Sequence, residues 1–468
     1  MLSKSTLAKL FVALLAVTPS LAVPMVERDN DKSPSNCKGA EPSQCSHAAE
    51  QKDKHEQQPS TPAERKRCVI KALGGTANDS PAINQAFKDC NNGGTVAFEY
   101  GVNYNAFTPV NALNLTDVHI EFLGNVNLPQ DIPYVQDIVA NSKEFSGHWF
   151  RFIGKKLVWQ GTKDVATGWI DSHGQAWWDA NPTGKGGLPN RPHLITFEIE
   201  DSEIYSLKSR QPIGWQARIK AKNLYVKDTV METYTTGGYP FNTDGLGFSG
   251  SNILAEDSYI NNGDDCFAIT NNSHNITMRR ATCGGPGTHG MSIGSLGKNQ
   301  AEFNNVSDIH WEDITMIDAL YGARFKSWVG GQGITENISW KNIRLYNVSY
   351  PIFITQTYVD QNNPGVGRVD NGSVILKNFV FEDWQGDVNS YHHGDGTCIS
   401  NPCWYDLDLP PFTGSEVITF SCAKPGSCSG FETKNVNVFG QNGKPSTNLC
   451  KNADAASNPN LGFTCAGL

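Results

Sequence analysis

The stretch NILAEDSYINNGDDCFAITNNSHNITM, residues 252–278, begins and ends on an asparagine that introduces a short apolar triplet. The same pattern opens NLYV at Asn223, DIHW at Asp308, NISW at Asn337 and NFVF at Asn378. Successive copies therefore lie 29, 23, 33, 29 and 41 residues apart. Between them run further short apolar segments with glycine and asparagine turns and no convincing helix. Repeats of about 20 to 30 residues made of several short strands suit a parallel β-helix, because one coil can bury its apolar side chains only against the coils above and below. Asparagine at the corners tolerates left-handed backbone and bonds a neighbouring amide at the same place on each coil. A propeller would need more even blades of about 40 to 50 residues, and a sandwich would need fewer strands. The sequence thus predicts an all-β solenoid.

Outward from this core, CVIKALGGTANDSPAINQAFKDCNNGGTVAFEYGVNY, from Cys68, predicts a strand, one short amphipathic helix with Ile83, Ala86 and Phe87 on one face, and another strand. Cys68 and Cys90 flank that helix and are a plausible bridge. Residues 1–22 combine Lys4 and Lys9 with an apolar run and small residues at Ser20 and Ala22, the pattern of a secretory signal peptide. Residues 23–67 are polar and aperiodic and predict a linker or pro-segment, with Arg65, Lys66 and Arg67 a candidate processing site. The remainder, 68–468, is expected to be the solenoid, its cysteine-rich tail from about 388 forming a disulfide-tied cap over the open end.

A secreted, extracellular chain fits the 12 cysteines, an even number, whose pairing the sequence alone does not dictate. It also fits the eight N-x-S/T sequons, of which Asn114, Asn271, Asn275, Asn305, Asn337, Asn347 and Asn371 are candidate glycan sites; Asn78 is disfavoured by Pro81. A net charge of -9 excludes a generally basic nucleic-acid binder, and no later segment is apolar enough for a membrane span.

Two familiar patterns lack their context. GPGTHG (285–290) matches a dinucleotide-binding loop but contains proline and opens no helix; GMSIG (290–294) matches a nucleophile elbow at Ser292 but is followed by polar, turn-like sequence. No cysteine or histidine spacing suggests a metal site. The stronger signal is NTDG (242–245), GDDC (263–266), THG (288–290) and RFK (324–326), spaced close to the solenoid period. Residues one coil apart stack at about 5 Å, so three carboxylates, an imidazole and two cations would meet on one face. Each motif alone is weak: DG is usually a turn and DD a solvated pair.

This ordered set resembles the signature of the family 28 glycoside hydrolases, the polygalacturonases and their relatives, and the resemblance runs from Cys68 through essentially the whole chain. It implies a right-handed parallel β-helix that hydrolyses α-1,4-linked galacturonan with inversion, using no metal or cofactor. By the same resemblance Asp264 is the general acid, Asp244 and Asp265 activate water, and His289 supports the acid. Arg324 and Lys326 meet a galacturonate carboxylate, while Asn242 and Tyr358 line the cleft. Cys266 is expected to bridge to Cys283 and pin the turn. The chemistry is coherent in itself, since clustered carboxylates raise one another's pKa and can hold an acid beside a base, and a chain of net negative charge needs local cations for a polyanion. Phe325 departs from the usual aliphatic residue, and the turn from Cys283 to His289 is longer than in many relatives. The pattern is more similar to exo-acting members, with 174–192 and 358–373 as candidate cleft walls. An endo-polygalacturonase, a xylogalacturonan or rhamnogalacturonan hydrolase, or a non-catalytic pectin-binding solenoid are the alternatives. The expected partner is pectic polysaccharide or oligogalacturonide, acted on by a monomer.

Overall fold

The structure, a computed structural model, describes residues 65–467 apart from 183–185, 359–367, 393, 399–402, 404 and 407–408. The expected leader and nearly all of the polar segment lie outside the described residues, as does part of each candidate cleft wall.

Every strand pairing among the described residues is parallel and connects one coil to the next, giving a right-handed parallel β-helix. The register reproduces the sequence repeat one for one. Leu224 pairs with Ile253, Ile253 with Ile276, Ile276 with Ile309, Ile309 with Ile338, and Ile338 with Phe379. The uneven intervals are therefore the lengths of successive coils.

The corner residues explain why the copies begin on Asn or Asp. Asn223, Asn252, Asn275, Asp308, Asn337 and Asn378 all have φ between 54° and 58°, left-handed backbone that side chains other than those of Gly, Asn and Asp adopt only at a cost. Their amides also form a ladder. Asn223 donates to Asp201 at 2.7 Å, Asn252 to Asn223 at 2.9 Å and Asn275 to Asn252 at 2.9 Å. It resumes with Asn337 donating to Asp308 and Asn378 to Asn337, each at 3.1 Å.

Inside the coils, like stacks on like. Ile219, Phe248, Ile269, Ile293, Phe325, Ile354 and Phe420 form one continuous buried row through seven consecutive strands. On the next face the rings of Trp311, Trp340 and Phe381 lie 4.9 and 4.8 Å apart and 2° from parallel, the coil spacing imposing a stacked geometry. Phe325, the departure noted in the RFK motif, is thus a core residue with no exposed surface.

Helix Ser80–Asp89 forms where expected, with Ile83, Ala86 and Phe87 buried, and the Cys68–Cys90 disulfide closes it onto the first strand. Two further helices were not expected: Ile132–Ala140, whose Asp131 accepts from the amide of Tyr134 at 3.1 Å, and the single turn Gln175–Asp179. The latter is too short to show a helical period, but it buries Trp177 and Trp178. In the tail, strands Glu416–Ser421, Glu432–Gly440 and Thr447–Lys451 continue the parallel stack, fastened by the disulfides Cys422–Cys428 and Cys450–Cys465.

The ladder makes a stability prediction. Asn252→Ala loses both amide bonds and places a Cβ-bearing residue without a polar side chain at φ 58°, for a cost of about 2 kcal/mol. Asn252→Gly keeps the backbone comfortable and costs about half that. Urea unfolding midpoints are expected in the order wild type, Gly, Ala; an Ala variant equal to wild type would contradict the ladder's role.

Candidate active site

The outward row beside the buried one changes character where the motifs lie. Arg218, Gly247, Ala268, Ser292 and Arg324 occupy successive strands in register. The three middle residues are small, leaving a floor between two cations. Over that floor opens a cleft of about 450 Å³, lined among others by Asp244, Asp264, Asp265, His289, Arg324 and Lys326.

The two adjacent aspartates reach the same cleft because the chain does not run on as a strand between Asn261 and Phe267. Buried Asn262 organises the bend. Its amide nitrogen donates to the carbonyls of Thr243, Asp264 and Asp265 at 3.1, 2.9 and 2.9 Å, and its oxygen accepts from the Thr288 hydroxyl at 2.6 Å. Gly263 fits because a Cβ there would stand 2.6 Å from the Pro240 carbonyl. Cys266 and Cys283 form a disulfide directly behind the turn. One coil on, Gly290 follows His289 with φ 67°, and a Cβ would meet the Tyr321 and Gly322 carbonyls at 2.3 and 2.2 Å. Backbone bonds lock the layers together: Gly245 N–H donates to Asp265 O, and His289 N–H to Asp264 O, at 2.9 and 2.8 Å.

Asp265 is almost wholly buried and receives Lys326 Nζ on Oδ2 at 2.7 Å and Arg324 Nη1 on Oδ1 at 3.5 Å. Such a pair is costly to break, since either partner alone would be an uncompensated buried charge. The Arg324 guanidinium also lies 4.5 Å from the Tyr321 ring centre and 5.7 Å from that of Tyr358, whose ring is 5.9 Å from Lys326 Nζ. Asp264 accepts from its own neighbour's amide, Asp265 N–H, at 2.8 Å, and from Asn242 Nδ2 at 3.2 Å, and its Oδ1 lies 3.0 Å from His289 Nδ1. Ligand atoms of Asp264, Asp265 and His289 lie within 4.8 Å of one another. A divalent cation there would face Lys326 and Arg324, already paired with Asp265, so the donor set suits a salt-bridged cluster better than a metal.

Electrostatics sets Asp264 and Asp244 apart. Burial works against ionised Asp264, yet His289 above all, then Lys326 and Arg324, hold it well below the usual carboxylate range. Burial likewise opposes charge on His289, but Asp264 and Asp395 outweigh it and raise its pKa. Asp244 is the carboxyl pushed well up, first by burial and then by the negative charges of Asp264 and Asp265. Its Oδ1 is buried. Asp244 thus holds its proton more tightly than an ordinary carboxyl, and Asp264 less so.

Several contributors carried no sequence signal. Arg191 donates to Asn242 Oδ1 at 2.7 Å and so clamps the cleft side of Asp264 from the 174–192 segment. Trp215, 40% exposed, stands at the cleft on the His193 ring, 4.3 Å centre to centre. Asp395, from the tail, faces His289 Nε2 at 3.2 Å. None belongs to a recurring motif: Arg191 and Asp395 come from irregular segments, and Trp215 is a lone aromatic just before strand Ala217–Lys227.

Elsewhere, Ser292 is a fully buried strand residue, with no elbow around it. Among the sequon asparagines, Asn114, Asn275, Asn337 and Asn371 are exposed and Asn271, Asn305 and Asn347 partly so. Asn275, Asn337 and Asn347 use Nδ2, the atom an N-glycan would take, in bonds to the preceding coil.

The raised Asp244 sets a pH prediction. A buried carboxyl whose folded pKa lies above its unfolded value near 3.8 favours the fold while protonated; that contribution is complete below 3.8 and is lost as pH rises through the folded pKa. Asn cannot ionise. The thermal midpoint of Asp244→Asn relative to wild type is therefore expected to grow as pH rises above about 3.8, until the folded carboxyl itself ionises. A constant difference would show that Asp244 is not so perturbed.

The chain is 44% identical over 411 residues to the probable exopolygalacturonase C of Neosartorya fischeri, covering 87% of this chain and 92% of that protein. Among solved structures it is similar to the endo-xylogalacturonan hydrolase of Aspergillus tubingensis (TM-score 0.67, 22% identity, 86% of this chain and 99% of that one). It is also similar to the polygalacturonase of Erwinia carotovora ssp. carotovora (TM-score 0.62, 19% identity, 85% and 99%). At those identities the two structures attest the fold alone. The model of glycosyl hydrolases family 28 matches residues 75–404, and the chain belongs to that family.

Proposed function

We propose that this protein is an exported, exo-acting hydrolase of α-1,4-linked galacturonan that releases galacturonic acid with inversion. The observation that carries the reading is the cluster of three carboxylates and an imidazole in a cleft with two buried cations. Exo action is supported by the names of relatives that are 44% identical across most of the chain, and export by the N-terminal sequence.

In this reading Arg324 and Lys326 receive the carboxylate of a galacturonate unit. Their pairing with a substrate anion matters for protonation, because after His289 the same two cations lower the pKa of Asp264. Once they share their charge with the substrate, Asp264 gains a proton more readily. The charge of Asp264 is itself one cause of the raised Asp244, so protonating the first favours ionising the second. The pair then stands ready: Asp264 gives its proton to the glycosidic oxygen as the C–O bond breaks. Water held by Asp244 and Asp265 attacks the anomeric carbon from the opposite face and passes its proton to the carboxylate.

Asp264→Asn is expected to lower kcat on oligogalacturonides by about 10³-fold, with circular dichroism showing that the β-helix is retained. On polygalacturonic acid the wild type should yield monomer alone from the first time point. Early oligomers would reassign it as endo-acting, and release of no reducing ends would overturn the hydrolase reading.

A further inference from the structure

The His289 ring is held between two carboxylates, only one of which belongs to the motif set. Nδ1 faces Asp264 Oδ1 at 3.0 Å and also Arg324 Nη1 at 3.3 Å, while Nε2 faces Asp395 Oδ2 at 3.2 Å. Asp395 is 106 residues further along the chain, and its side chain is 1% exposed. It is itself firmly set. Oδ1 accepts from the amide and the hydroxyl of Thr397 at 2.9 and 2.6 Å, and Oδ2 from the Tyr239 hydroxyl at 3.4 Å. That hydroxyl also contacts the carbonyl of Gly263, the residue before Asp264, at 2.9 Å. The tail thus reaches the base of the proton-donating aspartate by two routes.

Building on the function proposed above, we propose that Asp395 is a positioning residue for the acid step: it keeps a proton on His289 Nε2, so that the exchangeable proton lies on Nδ1, aimed at Asp264. An anionic carboxylate at Nε2 accepts and cannot donate, which excludes the tautomer with its only proton on Nδ1. The imidazolium can then pass its Nδ1 proton to Asp264 and become a neutral ring that still holds Nε2–H against Asp395. No proton is lost from the site, and Asp264 is reloaded through a single 3.0 Å contact. The surrounding charges are compatible with this. Among the described residues, the groups facing the His289–Asp395 pair beside Asp264 and Arg324 are the phenols of Tyr239, Tyr321 and Tyr405, which burial keeps neutral. The carboxylate of Asp395 stays ionised despite burial because His289 and Thr397 stabilise it.

Asp395→Asn tests this, since it retains an acceptor and nearly the same shape while removing the charge. Its kcat on a digalacturonide is expected to fall about 10²-fold with KM little changed. The alkaline limb of its pH–rate profile should move down by about one pH unit, since His289 loses an anionic partner. Hydrolysis of 4-nitrophenyl galacturonide, whose leaving group needs little protonation, should fall much less, as it should for Asp264→Asn. Asp395→Glu should restore part of the rate. Equal losses on both substrates with an unmoved alkaline limb would mean that Asp395 merely anchors the tail, and the proposal fails. An unchanged kcat would also sink it. A wild type inactive on both substrates would instead remove the function on which the proposal rests.

Discussion

In-register parallel hydrogen bonding between coils is the constraint on which everything else in this molecule rests. Because the strands pair in register with the coils above and below, a residue on a strand or at its turn reaches the cleft from a fixed place in its coil. Asp244, Asp265 and His289 come from three successive turns, and Arg324 and Lys326 from the next. Stacking delivers them to one another without any long-range search for contacts. The left-handed Asn and Asp corners maintain that alignment: once a corner is fixed, so is the inward or outward sense of the residues following it.

A tightly stacked core also allows the site to carry charges that would otherwise be intolerable. Asp265 sits against Lys326 and Arg324 with almost no exposed surface, and His289 lies between Asp264 and Asp395. These ions are held by rigid strands on one side and by the Asn262-centred turn on the other, so their mutual attraction offsets much of the cost of leaving water. Electrostatics then distributes the proton. Two carboxyl groups with the same intrinsic chemistry shift in opposite directions: burial and neighbouring anions raise Asp244, while His289 and the two cations overcome burial to lower Asp264.

The repeat beginning at Asn223 made the solenoid legible, and its intervals equal the coil lengths because the corner asparagines are a physical necessity of the bend. The NTDG, GDDC, THG and RFK motifs were legible for the related reason that they recur with the coil. Asp395 and Arg191 were not. They enter from loops whose length follows no period, and a lone Asp in a cysteine-rich tail has no pattern to set it apart. Helix Ile132–Ala140 carried its cap in Asp131, yet only nine residues were available to show periodicity. The resting charge of Asp264 was out of reach as well, because it depends on ångström-scale distances to cations rather than on which residues are present.

The unequal coils have a consequence for how such a molecule changes over time. Between Ile309 and Ile338 the chain takes 29 residues to return to the same corner, and between Ile338 and Phe379 it takes 41, yet both pairs meet in the same register. The extra length disturbs neither the ring stack nor the amide ladder. Loops around the cleft are thereby insulated from the folding of the core, and lengthening one is a nearly neutral event for stability. A lineage can remodel the walls that choose among polysaccharides while the row of acids and cations beneath stays where it is.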